Sequence, residues 1–103
     1  MMKNLMLIVH ADLEQSLADT LRSLTQVTGF TFTRVESHGV QDEHDAALTA
    51  RDRVVGYTPH VRADILLKDE DVDEVLQALR AADCGLAGRG IYRVTAVEMQ
   101  GAL

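Results

Sequence analysis

Twice along this chain the spacing of apolar residues switches between the two-residue repeat of a strand and the three-and-four repeat of a helix, and no single regular structure carries both. Leu5 to Ala11 (LMLIVHA) is a compact apolar run, the pattern of a strand at a sheet centre or covered on both sides. Leu13, Leu17, Leu21, Leu24 and Val27 then recur at helical spacing, opened by Asp12 as N-cap with Gln15 three positions on, and stopped by Gly29. From Phe30 to about Glu36 the period returns to two, with Phe30 and Phe32 alternating with Thr31, Thr33 and Val35. A third strand starts near Val54 and alternates through Val61, Ala63, Ile65 and Leu67, interrupted by Gly56 and by Pro59, whose missing N–H implies a bulge or an edge position. Asp71 and Glu74 repeat the capping pattern ahead of a second stripe, Val72, Val75, Leu76, Leu79 and Ala82, which ends before Gly85. Ile91 to Met99 (IYRVTAVEM) is the last strand.

The order β-α-β-β-α-β defines an α+β fold of the ferredoxin-like type, an antiparallel sheet with both helices on one face, and residues 1–103 form one domain. A chain of 103 residues that is 47% hydrophobic buries one core with little margin. Its last strand carries Ile91, Val97 and Met99 at one parity and Tyr92, Val94 and Ala96 at the other, so both faces of that strand are apolar. A lone chain would expose a sizeable apolar patch, which predicts a homo-oligomer packed sheet against sheet.

A net charge of −6 excludes a long-range field attracting nucleic acid or anionic lipid, so any phosphate site must be local. The apolar run Leu5 to Val9 is far short of the roughly 20 residues of a spanning helix. With no cleavage site after it and a lone Cys84, the expectation is a soluble cytoplasmic protein without direct membrane insertion. No serine or cysteine nucleophile stands with a base, and Asp42, Glu43 and Asp45 lie in a polar segment with no apolar pocket to raise a pKa, so the chain does not read as an enzyme.

Two connections carry more than a turn requires. The polar stretch SHGVQDEHDAALTAR after the second strand is a loop of roughly 15 residues, the length at which loops are usually functional or disordered. Within it His38 and His44 flank Gln41, Asp42 and Glu43, a mixture of imidazole and carboxylate that suits a divalent metal, whereas His10 and His60 read as local hydrogen-bonding or interface residues. The second connection, CGLAGRGIYRV from Cys84, places three glycines and Arg89 between a helix and a strand. Successive backbone N–H groups without a Cβ in the way can hold an anion, and Arg89 adds a forked cation. A helix C-cap at Gly85 followed by a plain turn explains the same glycines.

This layout, with SHGVQ at Ser37 to Gln41, DRVVGY at Asp52 to Tyr57, CGLAGRGIYRV and the ending TAVEMQGAL, resembles the PII signalling superfamily over almost the whole chain. It is closest to a PII-like family of uncharacterised proteins considered with heavy-metal efflux systems. The resemblance implies a homotrimer with sheets facing inward and an adenine nucleotide, such as AMP, ADP, ATP or cyclic AMP, in the clefts between neighbours. It also implies a T-loop at about 37–53 that docks on a regulated partner such as a membrane transporter, and a B-loop at about 84–90 that wraps the nucleotide. Carried over by position, Gly39 and Gln41 lie at the T-loop base, and Gly85, Gly88, Arg89 and Gly90 in the B-loop. The lysine that follows the third glycine in PII proteins is Ile91 here, and QGAL stands where they carry paired arginines, departures that weaken triphosphate binding specifically. The T-loop tyrosine of uridylylation is missing, since Tyr57 lies beyond that loop. The alternative function is a metal-binding accessory or sensor of a heavy-metal efflux system using His38 and His44; a third is a ferredoxin-like enzyme subunit with an intersubunit pocket.

Overall fold

The computed structural model describes residues 1–38, 56–82, 85–86 and 88–103. Strand β1 (Met2–His10), helix α1 (Glu14–Ser23), strands β2 (Phe30–Ser37) and β3 (Thr58–Lys68), helix α2 (Val72–Ala81) and strand β4 (Gly90–Ala96) follow the expected order. Each helix is entered through a short 3-10 turn, Ala11–Leu13 and Asp69–Asp71. The strands make one antiparallel sheet in the order β2-β3-β1-β4, the ferredoxin-like arrangement.

Position in the sheet explains the sequence patterns. Central β1 pairs with β3 from Met2↔Lys68 to His10↔His60 and with β4 from Lys3↔Ala96 to Val9↔Gly90. Leu5, Leu7 and Val9 therefore join the helix-side core with Val61, Ala63, Ile65 and Leu67 of β3. Met6, at the opposite parity, is buried as well, which is why β1 reads as a continuous apolar run and not as an alternation. Leu17 and Leu21 of α1 and Val75 and Leu79 of α2 close the core from above. Truncating Leu17 or Leu21 to alanine would cost about 2–5 kcal/mol. Pro59 pairs with Glu36 on its β2 side, while β1 ends opposite His60, so the proline takes the one-sided position its missing N–H requires.

Several expected boundaries are corrected. Strand β1 begins at Met2, not Leu5, because Lys3 and Asn4 are already paired on both sides. Asp12 is not the cap of α1: its own N–H donates to His10 Nδ1 at 3.1 Å, and Gln15 bonds Asp19 instead of closing a capping box. Helix α1 stops at Ser23 and does not run to Val27, since Leu24 turns extended (φ −92°, ψ 123°). Leu24 and Val27 still pack on the core, held by turn hydrogen bonds Leu24 N–H to Leu21 O at 3.2 Å and Val27 N–H to Leu24 O at 3.1 Å, so an irregular segment reproduces helical spacing. Asp71 occupies the N-cap of α2 without a side-chain capping bond, and Glu74 accepts from Gln26 at 2.9 Å. Strand β4 ends at Ala96, with the Val97 N–H reaching Met2 O at 3.1 Å. The expected start of the third strand near Val54 lies outside the described residues.

All of β4 is exposed, Ile91 at 53% on the open face and Tyr92 and Val94 at 49% and 40% on the helix side. The helix-side parity is apolar as expected, but the open parity within the strand is Ile91, Arg93 and Thr95, because Val97 and Met99 lie beyond its end. Elsewhere the open face is mixed: one cross-strand row is Thr33, Arg62, Ile8 and Ile91, the next Thr31, Asp64, Met6 and Arg93. Among the described residues no helix is long and apolar enough to cross a membrane.

Candidate functional site

The glycine connection is built by two different constraints. Helix α2 caps at Ala82, which is extended, so Gly85 does not cap it as expected but lies further along the connection with φ +78°. The Arg89 N–H donates to Leu86 O at 2.9 Å, closing a four-residue turn whose third position, Gly88, has φ +71°. A side chain is strained there. Gly90 is constrained by packing: a Cβ on it would lie 2.9 Å from Val9 Cγ1 and 3.1 Å from Ile8 O. Arg89 folds back on the turn, its Nη1 3.6 Å from the Cβ position of Gly85.

Beside this turn, between α2 and the start of β4, lies a cleft of about 270 Å³. Leu7, Val9, Leu76, Leu79 and Leu86 supply its apolar lining, Gly88, Gly90 and Ile91 its rim, and Arg80 and Tyr92 its polar edge. The Arg80 guanidinium carbon stands 5.7 Å from the Tyr92 ring centroid, a cation–π contact. Among the described residues no carboxylate lies within ion-pair distance of Arg80 or Arg89. Sequence reasoning missed Arg80 and Tyr92, although Arg80 follows the stripe residue Leu79 in the last turn of α2 and Tyr92 pairs with core residue Leu7.

Of the other candidates, Gly39, Gln41, His44 and Cys84 lie outside the described residues, as does residues 39–53 of the expected T-loop. His38 is described, with Nε2 3.3 Å from Glu36 Oε2 and its ring 5.8 Å from that of Tyr57. The pair Ser37↔Thr58 fixes the base of the long segment. That base, the His10–His60 ring contact at 6.1 Å and the Val9↔Gly90 pair all lie at one end of the sheet. Laterally the base and the glycine turn are not brought together: β2 and β4 are opposite edges of a four-stranded sheet, roughly 14 Å apart at ordinary strand spacing. Among the described residues no three metal-ligating side chains cluster.

On the open face Asp64 accepts a two-pronged contact from Arg62 (3.1 Å from Nε, 3.2 Å from Nη2) and a third bond from Asn4 at 3.1 Å. The Arg62 hydrogen bond, with help from Asn4, holds the Asp64 carboxyl below its usual range against the opposing effect of partial burial. Arg62 is raised in return, chiefly by the same hydrogen bond.

The sheet order, the two helices on one face, the long connection between β2 and β3 and the glycine turn before β4 together define a ferredoxin-like protein with the PII-like layout. Residues 2–103 match the family described as protein of unknown function (DUF3240), and the chain belongs to that family. It is 32% identical over 88 residues to the nitrogen regulatory protein P-II of Pasteurella multocida (strain Pm70), spanning 84% of this chain and 74% of that protein. It is 34% identical over 83 residues to the nitrogen regulatory protein P-II of Rhizobium leguminosarum bv. viciae, spanning 78% of this chain and 75% of that one. The crystal structure of a DUF3240 family protein from Shewanella baltica OS155 shares the fold with a TM-score of 0.76 at 19% identity, over 99% of this chain and 96% of that one.

Proposed function

We propose that this chain is a regulatory protein, not an enzyme, that binds an adenine nucleotide where copies of a homotrimer meet and signals to a partner, a membrane transporter, through residues 37–53. The observation that carries this reading is the turn Leu86–Arg89, which offers positive-φ Gly88 and the guanidinium of Arg89 at the same sheet end as the Ser37↔Thr58 loop base, in a relative of P-II proteins. One chain holds the base and the turn at opposite lateral edges, which supports a ligand that takes one from each of two neighbouring copies. Gly39 and Gln41 complete the proposed nucleotide contacts with Gly85, Gly88, Arg89 and Gly90, in a cytoplasmic setting.

Calorimetry with AMP, ADP, ATP and cyclic AMP on wild type and Arg89→Gln tests the reading. Binding by at least one nucleotide, weakened roughly tenfold or more in the variant, is expected, about 1.4 kcal/mol of affinity. No binding below millimolar dissociation constants removes it.

A second reading, a divalent metal held by His38 and His44 in a heavy-metal efflux accessory or sensor, is favoured by one contact, the approach of Glu36 to His38 Nε2. Zinc-induced thermal stabilisation that disappears in His38→Ala supports it, and unchanged melting with zinc excludes it.

A further inference from the structure

We propose that the cleft between α2 and β4 is itself a ligand compartment, taking a flat apolar ring that carries one anionic head, with Arg80 as the group that selects the head. The inference rests on the nucleotide reading only in placing the ligand beside the glycine turn.

Size sets the first limit. A dry apolar cavity of about 150 Å³ accepts a benzene ring, and pockets for larger ligands run from about 300 Å³ upward. At about 270 Å³ the cleft takes one ring system with its substituent. The lining sets the second limit: Leu7, Val9, Leu76 and Leu79 are buried core residues that form an apolar wall, and Tyr92, half exposed, adds an aromatic ring. Such a surface gains from a flat hydrocarbon or heteroaromatic body and gives nothing to a sugar or a polyphosphate.

Charge sets the third. Arg80 lies at this apolar cleft, keeps its place against Tyr92, and has no carboxylate partner among the described residues. Among the described residues its N–H donors are thus outside any ion pair, in a site whose walls are mostly apolar. An anion whose ring fills the cleft satisfies both needs together. The chain as a whole carries −6, so each added negative charge on a ligand raises the work of approach, which favours a singly headed anion over a triphosphate. A phosphomonoester and a carboxylate share this chemistry.

The full chain is titrated with phenyl phosphate and with benzoate, by amide NMR and calorimetry, as wild type, Arg80→Gln, Arg80→Lys and Arg89→Gln. Expected is binding of at least one probe, with shifts at Tyr92 and Leu79, weakened tenfold or more in Arg80→Gln and partly restored in Arg80→Lys; which probe binds identifies the head group. A folded Arg80→Gln spectrum with unchanged affinity, or no binding of either probe at about 10 mM, overturns the proposal. AMP binding that needs Arg89 but not Arg80, with neither probe bound, overturns it and leaves the nucleotide reading standing. Probe binding that needs Arg80, in a protein that binds no adenine nucleotide, supports the cleft and overturns that other reading.

Discussion

Gly90 stands so close to Val9 that a methyl group placed on it would sit 2.9 Å from Val9 Cγ1 and 3.1 Å from the backbone oxygen of Ile8. The contact comes from register, since the two residues are paired across β1 and β4. Gly90→Ala should therefore destabilise the fold by about 1–3 kcal/mol, the usual range for overpacking. Gly88→Ala should cost about 1–2 kcal/mol through its left-handed backbone, as nothing lies within 4 Å of a Cβ there. Urea unfolding of the two variants checks both, and unchanged midpoints would show that the turn relaxes freely. Loss of ligand in Gly90→Ala alone would then report lost packing, so Arg89 is the position at which binding is to be tested.

His10 is 2% exposed and does what Asp12 was expected to do. Its Nδ1 accepts the Asp12 N–H at 3.1 Å, and the Asp12 carboxylate approaches the same atom to 3.6 Å. His10→Ala should cost about 1–3 kcal/mol, through the orphaned amide and the vacated space at the end of β1. Asp12→Ala should be nearly neutral, because the Asp12 side chain is largely exposed. Thermal unfolding of the pair separates the two roles, and the opposite ranking would restore Asp12 as the cap.

The architecture was legible because each element carried its own period: the alternation Val61, Ala63, Ile65, Leu67 and the stripe Val72, Val75, Leu76, Leu79 reappear as core residues of β3 and α2. Boundaries failed where a residue served the core without belonging to the element, as Leu24 and Val27 do after α1 has ended. For the candidate site, Gly88 announced the turn that Leu86 and Arg89 close, while Gly85, also at positive φ, lies outside that turn and does not cap α2. What the sequence could not announce is that Arg80 and Tyr92 meet. They lie on a helix and a strand whose approach is set by the sheet order, which no local spacing encodes.

The Asp64 carboxyl gives a pH signature. Its folded pKa is depressed, chiefly by the Arg62 hydrogen bond, so the folded state holds its proton more weakly than the unfolded chain does. The contribution to stability is complete above the ordinary aspartate range and is lost as pH falls through the folded value. Comparing wild type with Asp64→Asn should thus give a constant stability difference from about pH 5 to 8 that shrinks below about pH 4. Denaturant midpoints across that range measure it. A difference that grew on acidification would mean that Asp64 is not the charge-stabilised partner of Arg62.

The apolar surface of β4 leads to a prediction on assembly. Ile91 is 53% exposed in the single chain and shares its cross-strand row with Ile8, at the edge of a face whose other residues include Met6 and the Arg62–Asp64 pair. If copies cover this face, Ile91 is buried only in the assembly, and an acidic residue there acts on association and not on the fold of one chain. Wild type should sediment as a homotrimer at micromolar concentration, and Ile91→Asp should shift it to monomer while its circular dichroism stays that of the folded chain. Nucleotide affinity should fall together with assembly, because in the proposed site the ligand takes the loop base from one copy and the glycine turn from its neighbour, the two lying on opposite lateral edges of each chain. A wild-type monomer at that concentration would defeat the bridging geometry, and full nucleotide affinity in monomeric Ile91→Asp would place the whole site within one copy.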